Sequence, residues 1–253
     1  MSVLNARMAS MATAALLMGA AVATAGMEWR ANAGEQQTLA SQARTIKQLE
    51  GDVGALEAYI RAHPEWEKVV AEVRSSVVVV ETDEDLGSGW VVHSNASGSD
   101  IVTNFHVVES AVAKGVMTVE VHQFDRSLTG TVTATDRGDD LAVVHVDEHL
   151  PSLRTVRDRP EVGTNVMAIG APLGLSDSVS VGWVSAYRSI EGGDYMQFTA
   201  PVSPGNSGGP VIDQNGRVVA ITTLKVVYLG AEGLAFGIPV QTACASLVRC
   251  EQA

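Results

Sequence analysis

From Val77 onward the chain is a succession of short runs rich in Val, Ile and Thr. They read VVVVET, GWVVHS, DIVTN, MTVEVHQ, GTVTATD and LAVVHVD, then NVMAIGA, SVSVGWVSA, YMQFTA, GPVIDQNGRVVAITTL and GLAFGIPV. β-branched residues suit a pleated surface, and the Gly, Asn, Asp and Ser between the runs turn the chain. No long helical pattern sits between two such runs, which argues against a parallel sheet and its crossover helices. Gln214-Asn215-Gly216, between two apolar runs, marks a tight hairpin. A polar break from Leu150 to Gly163 leaves about six runs on each side. The pattern predicts an all-β fold of two antiparallel six-stranded barrels, at about 70–150 and 160–240, with a groove between them.

The chain before Val77 has a different texture. Arg7 precedes a charge-free run from Met8 to Met27, which closes on the small residues Ala23–Gly26. Residues 1–30 read as a signal peptide or a membrane anchor, since about 20 weakly apolar residues serve either purpose. With Arg7 held in the cytoplasm, the body of the chain is exported, to the periplasm or the outer face of the inner membrane. Residues 31–65 form a helical, coiled-coil-like segment. Apolar residues fall at Leu39, Ile46, Leu49, Val53, Leu56 and Ile60, with three-four spacing from Ile46 on. Gly51 and Gly54 weaken that pattern, and a single amphipathic helix lying on the domain remains the alternative. His63-Pro64 is expected to end the element.

The globular part is expected over 66–253, closed by a short helix from Gln241 to Cys250. On such a helix Cys244 and Cys250 would face different sides, so no disulfide is expected between them. With 46% apolar residues the chain has material for a core of its own. The net charge of −12 argues against a nucleic-acid partner, because phosphate binding needs clustered Lys and Arg. No Cys or His spacing points to a metal, and no cofactor is expected.

The stretch SPGNSGGP, Ser203 to Pro210, is poor helix and poor strand. It suits a shaped loop that presents Ser207 Oγ and aims backbone N–H groups at one point. A serine nucleophile needs a base within hydrogen-bond reach, and the base needs an orienting group. Six histidines are available. His63 lies in the N-terminal helix, His93, His122 and His145 alternate with Val in strands, and His149 sits in a polar turn. His106, in TNFHVVE where a strand gives way to a helical turn, is the suitable base. For the orienter, Asp140 opens the apolar run LAVVHV and is the best candidate, with Asp139 and Asp136 close alternatives.

TNFHVV, DDLAVV and GNSGGP, in that order, resemble the trypsin-like serine proteases of the HtrA (Deg) type. GSGWVV (Gly87–Val92), AIGAPLGLSDSVSVGWVSA (Ala168–Ala186) and GLAFGIPV (Gly233–Val240) resemble further strands of that family, so the similarity covers roughly Val69 to Arg249. The resemblance implies a chymotrypsin-type fold. It implies His106 as general base, Asp140 as its orienter and Ser207 as nucleophile, with the oxyanion held by the N–H groups of Gly205 and Ser207. It further places Pro201 and Val202 at the base of the P1 pocket, with Ile221, Thr222 and Thr223 opposite. No carboxylate lies there, which disfavours Lys or Arg and favours small or medium apolar P1 residues. Asn206 stands where zymogen-activated relatives carry Asp, so activation by a freshly cut N-terminus is not expected. Proteins of this type usually carry PDZ domains after the protease, and about a dozen residues after the last strand leave no room for one. The expected activity is a serine endopeptidase acting on unfolded or damaged proteins in the cell envelope, in an assembly that resemblance makes a homotrimer, with membrane anchoring through residues 8–27. The alternative is an idle protease fold used as a binding or chaperone-like module.

Overall fold

The computed structural model describes residues 46–47, 64–170, 178–190, 192–223 and 234–251. The chain divides into two units, 1–58 and 59–253. Of the first, Ile46 and Lys47 are described, and both are helical and exposed. The segment at 1–30 and the rest of the Gln36–His63 helix lie outside the described residues.

In the second unit the described residues start in a helix at Pro64, and the element expected to end at His63-Pro64 lies outside the described residues. α1 spans Pro64–Val73. Trp66, Val69 and Val73 are buried, one stripe of the helix at three- and four-residue spacing. Val73 lies against the hairpin turn at Gly216, where an added Cβ would be 3.0 Å from Val73 Cγ1. A 3₁₀ turn, Arg74–Ser76, leads into the first strand.

Two closed antiparallel barrels follow. The first is built from β1 (Val77–Glu81), β2 (Leu86–Asn95), β3 (Gly98–Thr103), β4 (Thr118–Gln123), β5 (Arg126–Asp136) and β6 (Leu141–Val146), in the order β1-β2-β3-β6-β5-β4. The second is built from β7 (Asn165–Gly170), β8 (Ser178–Ile190), β9 (Gly193–Phe198), β10 (Pro210–Ile212), β11 (Val218–Thr223) and β12 (Ala235–Pro239), in the order β10-β11-β12-β9-β8-β7. The expected hairpin at Gln214–Gly216 joins β10 to β11. Asp213 Oδ1 organises it, accepting from Asn215 N at 2.9 Å and Arg217 N at 3.0 Å.

The two cores differ in an informative way. Val78, Val80, Val91, Ile101, Val119, Val121, Val132 and Val144 fill the first barrel. Trp90 and Val92 alternate with Val91 on β2, and pack instead with Val102, Leu141 and the second barrel's Val166, Met167 and Phe198. β2 is therefore buried on both faces, which is why GWVV reads as an unbroken apolar run. The seam made by Trp90, Val102 and Leu141 fixes one barrel against the other. α2 (Phe105–Ala113) leaves the end of β3 directly.

The C-terminal tail corrects the sequence expectation. The last helix, α3 (Val240–Ser246), stops at Ser246, and Cys244 and Cys250 form a disulfide with a Cα–Cα distance of 5.5 Å. The expectation of no bond required a continuous helix to Cys250. The chain instead leaves the helical path after Leu247, and Glu251 O accepts from Thr155 N at 2.9 Å in the link between the barrels. Such a short loop is expected to contribute about 2 kcal/mol. Reduction, or Cys250→Ser, should lower Tm by about 5 °C, measured by calorimetry.

Three of the strand histidines lie on the outside of the first barrel, each beside a carboxylate. His122 Nε2 is 3.0 Å from Glu81 Oε2, and His93 Nδ1 is 3.5 Å from Glu251 Oε1. His145 Nδ1 is 2.8 Å from Asp100 Oδ1, and that hydrogen bond raises the His145 pKa above its ordinary value. A raised value in the folded state stabilises the fold fully below the ordinary imidazole value, and the gain is lost as pH rises through the raised value. Asp100→Asn should therefore lower the urea midpoint at pH 5.5 and make no difference at pH 9. A difference of equal size at both pH values would contradict this.

Candidate active site

Three pieces of chain meet at one end of the seam. Thr103 ends β3, Asn104 has extended backbone angles, and His106 is the second residue of α2. Asp140 directly precedes β6 and holds a left-handed conformation, φ 54°, that Asp adopts more readily than most residues. Asp136 Oδ1 shapes the turn before it, accepting from Gly138 N at 3.0 Å and Asp139 N at 3.1 Å.

Asp140 completes the start of α2 from outside. Its carbonyl accepts from Phe105 N at 3.1 Å and Asn104 Nδ2 at 2.9 Å, and its Oδ1 accepts from His106 N at 3.1 Å. These N–H groups would otherwise be orphaned at the helix N-terminus, where the helix dipole also favours a carboxylate. Oδ2 is 2.9 Å from His106 Nδ1 and accepts from Thr223 Oγ1 at 3.2 Å. Of the three candidate orienters, then, Asp140 reaches His106, Asp136 serves the turn, and Asp139 makes no bond to the imidazole. A carboxylate only accepts, so Nδ1 carries the ring proton and Nε2 presents a lone pair. The Asp140 side chain is 3% exposed and that of His106 37%, so the pair is anchored at its acidic end and open at the imidazole.

Ser207 is 4% exposed and lies across the seam from His106. Ser203 to Asn206 make a tight turn closed by Asn206 N donating to Ser203 O at 3.0 Å. Pro204 fills the second position and Gly205 the third with φ 100°, an angle that favours glycine there. Gly208 N donates to Thr222 O and Gly209 N to Asn206 O. Gly208, φ 84°, passes so close to Ser88 and Thr103 that a Cβ there would overlap their oxygens. Among the described residues, Gly205 N and Ser207 N are the N–H groups from Gly205 to Gly209 that have no acceptor. No hydrogen bond joins Ser207 Oγ to His106 Nε2.

An open cleft of about 700 Å³ exposes these groups, with Leu86, Phe105, His106, Glu109, Arg137 and Asp140 on one wall and Pro204, Gly205 and Ser207 on the other. The Arg137 guanidinium stacks over the Phe105 ring, 4.7 Å from its centroid. The residues expected to form a P1 pocket are more scattered. Pro201 is exposed and Val202 half-buried against the second core. Ile221 is wholly in that core, and Thr222 is buried with its main chain paired to Gly208 and Gly209. Thr223 is turned to Asp140, 83 positions away, a partner that no local sequence pattern marks. Its one legible signal was a hydroxyl at the end of a fully buried strand.

The family model described as a trypsin-like peptidase domain matches residues 87–221. A putative serine protease of Synechocystis sp. is 39% identical over 172 residues, covering 64% of this chain and 39% of that protein. A probable periplasmic DegP-like serine endoprotease of Chlamydia trachomatis is 35% identical over 167 residues, covering 63% of this chain and 32% of its own length. The chain thus spans less than half the length of these curated relatives. The crystal structure of a serine endoprotease from Yersinia pestis superimposes with a TM-score of 0.62 at 28% identity, over 71% of this chain and 64% of that one. The matched span carries His106, Asp140 and Ser207, and the chain belongs to the trypsin-like peptidase family, among relatives of the HtrA/Deg type.

Proposed function

We propose that the chain is a serine endopeptidase in which Ser207 attacks the peptide carbonyl, His106 takes and returns the proton, and Asp140 holds the imidazole. The observation that carries this is the meeting of an oriented imidazole, a serine hydroxyl and two unspent N–H donors in one cleft. Ser207 Oγ bonds to the carbonyl carbon as its proton passes to His106 Nε2. The tetrahedral oxyanion is held by Gly205 N–H and Ser207 N–H. His106 then protonates the leaving amine, and water releases the acyl group by the same steps in reverse. Thr223 Oγ1 helps hold the Asp140 carboxylate on the imidazole.

The substrates are unfolded or damaged proteins cut after small or medium apolar residues, since no acidic side chain stands among Pro201, Val202, Ile221, Thr222 and Thr223. The setting is the cell envelope. The Cys244–Cys250 disulfide suits an oxidising compartment, and a relative carries the word periplasmic in its name. Residues 1–30 serve as the export signal or anchor, 31–65 as a helical spacer or oligomerising element, and 66–253 as the protease domain, in a homotrimer. Among the described residues no helix is long and apolar enough to cross a membrane.

The second reading, an idle fold used for binding, draws support from the absence of a Ser207–His106 hydrogen bond. Such bonds often tighten only when substrate is bound, so the active reading is preferred. Cleavage of denatured casein, with a peptide set varied at P1, separates the two. The active reading predicts cutting after Val, Ala or Leu, and no cutting of any substrate favours the idle fold.

A further inference from the structure

The two N–H donors assigned to the oxyanion belong to residues whose carbonyls are gripped by one residue of the other barrel. Ser88, near the start of β2, donates its backbone N–H to Ser207 O at 2.8 Å and its hydroxyl to Gly205 O at 2.7 Å. Its own carbonyl accepts from Thr103 Oγ1 at 2.7 Å, three residues before His106. Ser88 is 0% exposed. Glycines crowd around it. A Cβ on Gly170 would lie 2.8 Å from the Ser88 hydroxyl oxygen, and one on Gly209 3.1 Å from the Ser88 Cβ.

We propose that Ser88 is a positioning residue that sets the separation of the Gly205 and Ser207 N–H groups, and so the fit of the site to the oxyanion. This rests on Ser207 being the nucleophile. Two donors stabilise a developing charge only if both lie about 2.7–3.1 Å from the place the oxygen will occupy. The Gly205–Asn206 peptide is held at its N–H by Ser203 O and at its carbonyl by the Ser88 hydroxyl. Ser207 O is held by Ser88 N. One buried residue of the first barrel is thus the common reference for both donor-bearing residues of the second. Without the hydroxyl, Gly205 O loses its donor, and the loop shifts to recover a partner. That shift moves Gly205 N relative to Ser207 N while leaving His106 and Asp140 in place.

The test is Ser88→Ala, which keeps the Cβ and removes the donor. The expected result is a kcat lower by about 10- to 100-fold, below the loss on deleting a donor outright, with KM changed by less than about two-fold. Affinity for a peptidyl boronic acid, which needs the oxyanion donors, should weaken in parallel, and the pH dependence of kcat/KM should keep its shape. Ser94→Ala serves as the control, because Ser94, also on β2, spends its hydroxyl on Leu150 O and Ser99 Oγ, away from the cleft. It should keep wild-type kcat. If Ser88→Ala does not fold, Ser88→Cys, with its weaker donor, carries the same comparison and should show an intermediate kcat. Unchanged kcat and boronate affinity in a folded Ser88 variant of an enzyme labelled by a fluorophosphonate overturn this proposal alone. A wild-type protein that takes no label overturns the nucleophile assignment, and this proposal with it.

Discussion

Ser207→Ala is expected to lower kcat for a peptide substrate by roughly 10⁵- to 10⁶-fold while leaving the fold intact. The hydroxyl makes no hydrogen bond to His106, so the alanine side chain leaves no buried partner unpaired. The loop around it is held by main-chain bonds that alanine preserves. These are Ser88 N to Ser207 O, Gly208 N to Thr222 O and Thr222 N to Gly209 O. Tm should therefore stay within about 2 °C of wild type. Casein cleavage and calorimetry on the same sample check both halves. A variant that still cleaves at more than a few per cent of the wild-type rate rules Ser207 out.

Asp140→Asn has the next largest expected effect, a loss of about 10⁴-fold in kcat. Asparagine tolerates the left-handed backbone at φ 54°, and its carbonyl still accepts from Phe105 N and Asn104 Nδ2. What changes is the side chain. Its oxygen can still accept from His106 N, but its NH₂ then faces His106 Nδ1 and no longer accepts from it. The imidazole takes the other tautomer, with the proton on Nε2, and can no longer remove one from Ser207. Affinity for a noncovalent product peptide should be unchanged, so the loss appears in kcat with KM nearly constant. A loss in KM alone would show that Asp140 shapes the cleft and does not act through His106.

Much of this architecture was visible in the sequence because it rests on local rules. Alternating and continuous Val-rich runs foretold the strands of both barrels, and Asn215-Gly216 foretold the hairpin between β10 and β11. The candidate base was singled out by its place at a strand end, and Asp140 by its place before a buried strand. What escaped depends on contacts between distant residues. The Ser88 hydroxyl reaches Gly205 across 117 positions, and Thr223 reaches Asp140 across 83. No periodicity carries such information. The disulfide escaped for a different reason, since the helix stops at Ser246 and the chain beyond Leu247 brings Cys250 back to Cys244.

The assigned chemistry turns on Ser207 being a nucleophile activated by His106. Labelling with a fluorophosphonate, followed by mass spectrometry of the peptide containing Ser203–Pro210, tests it most directly. The prediction is one label per chain on Ser207, none in Ser207→Ala, and slow labelling in Asp140→Asn. Wild-type protein that takes no label, or a label on any residue other than Ser207, would contradict it.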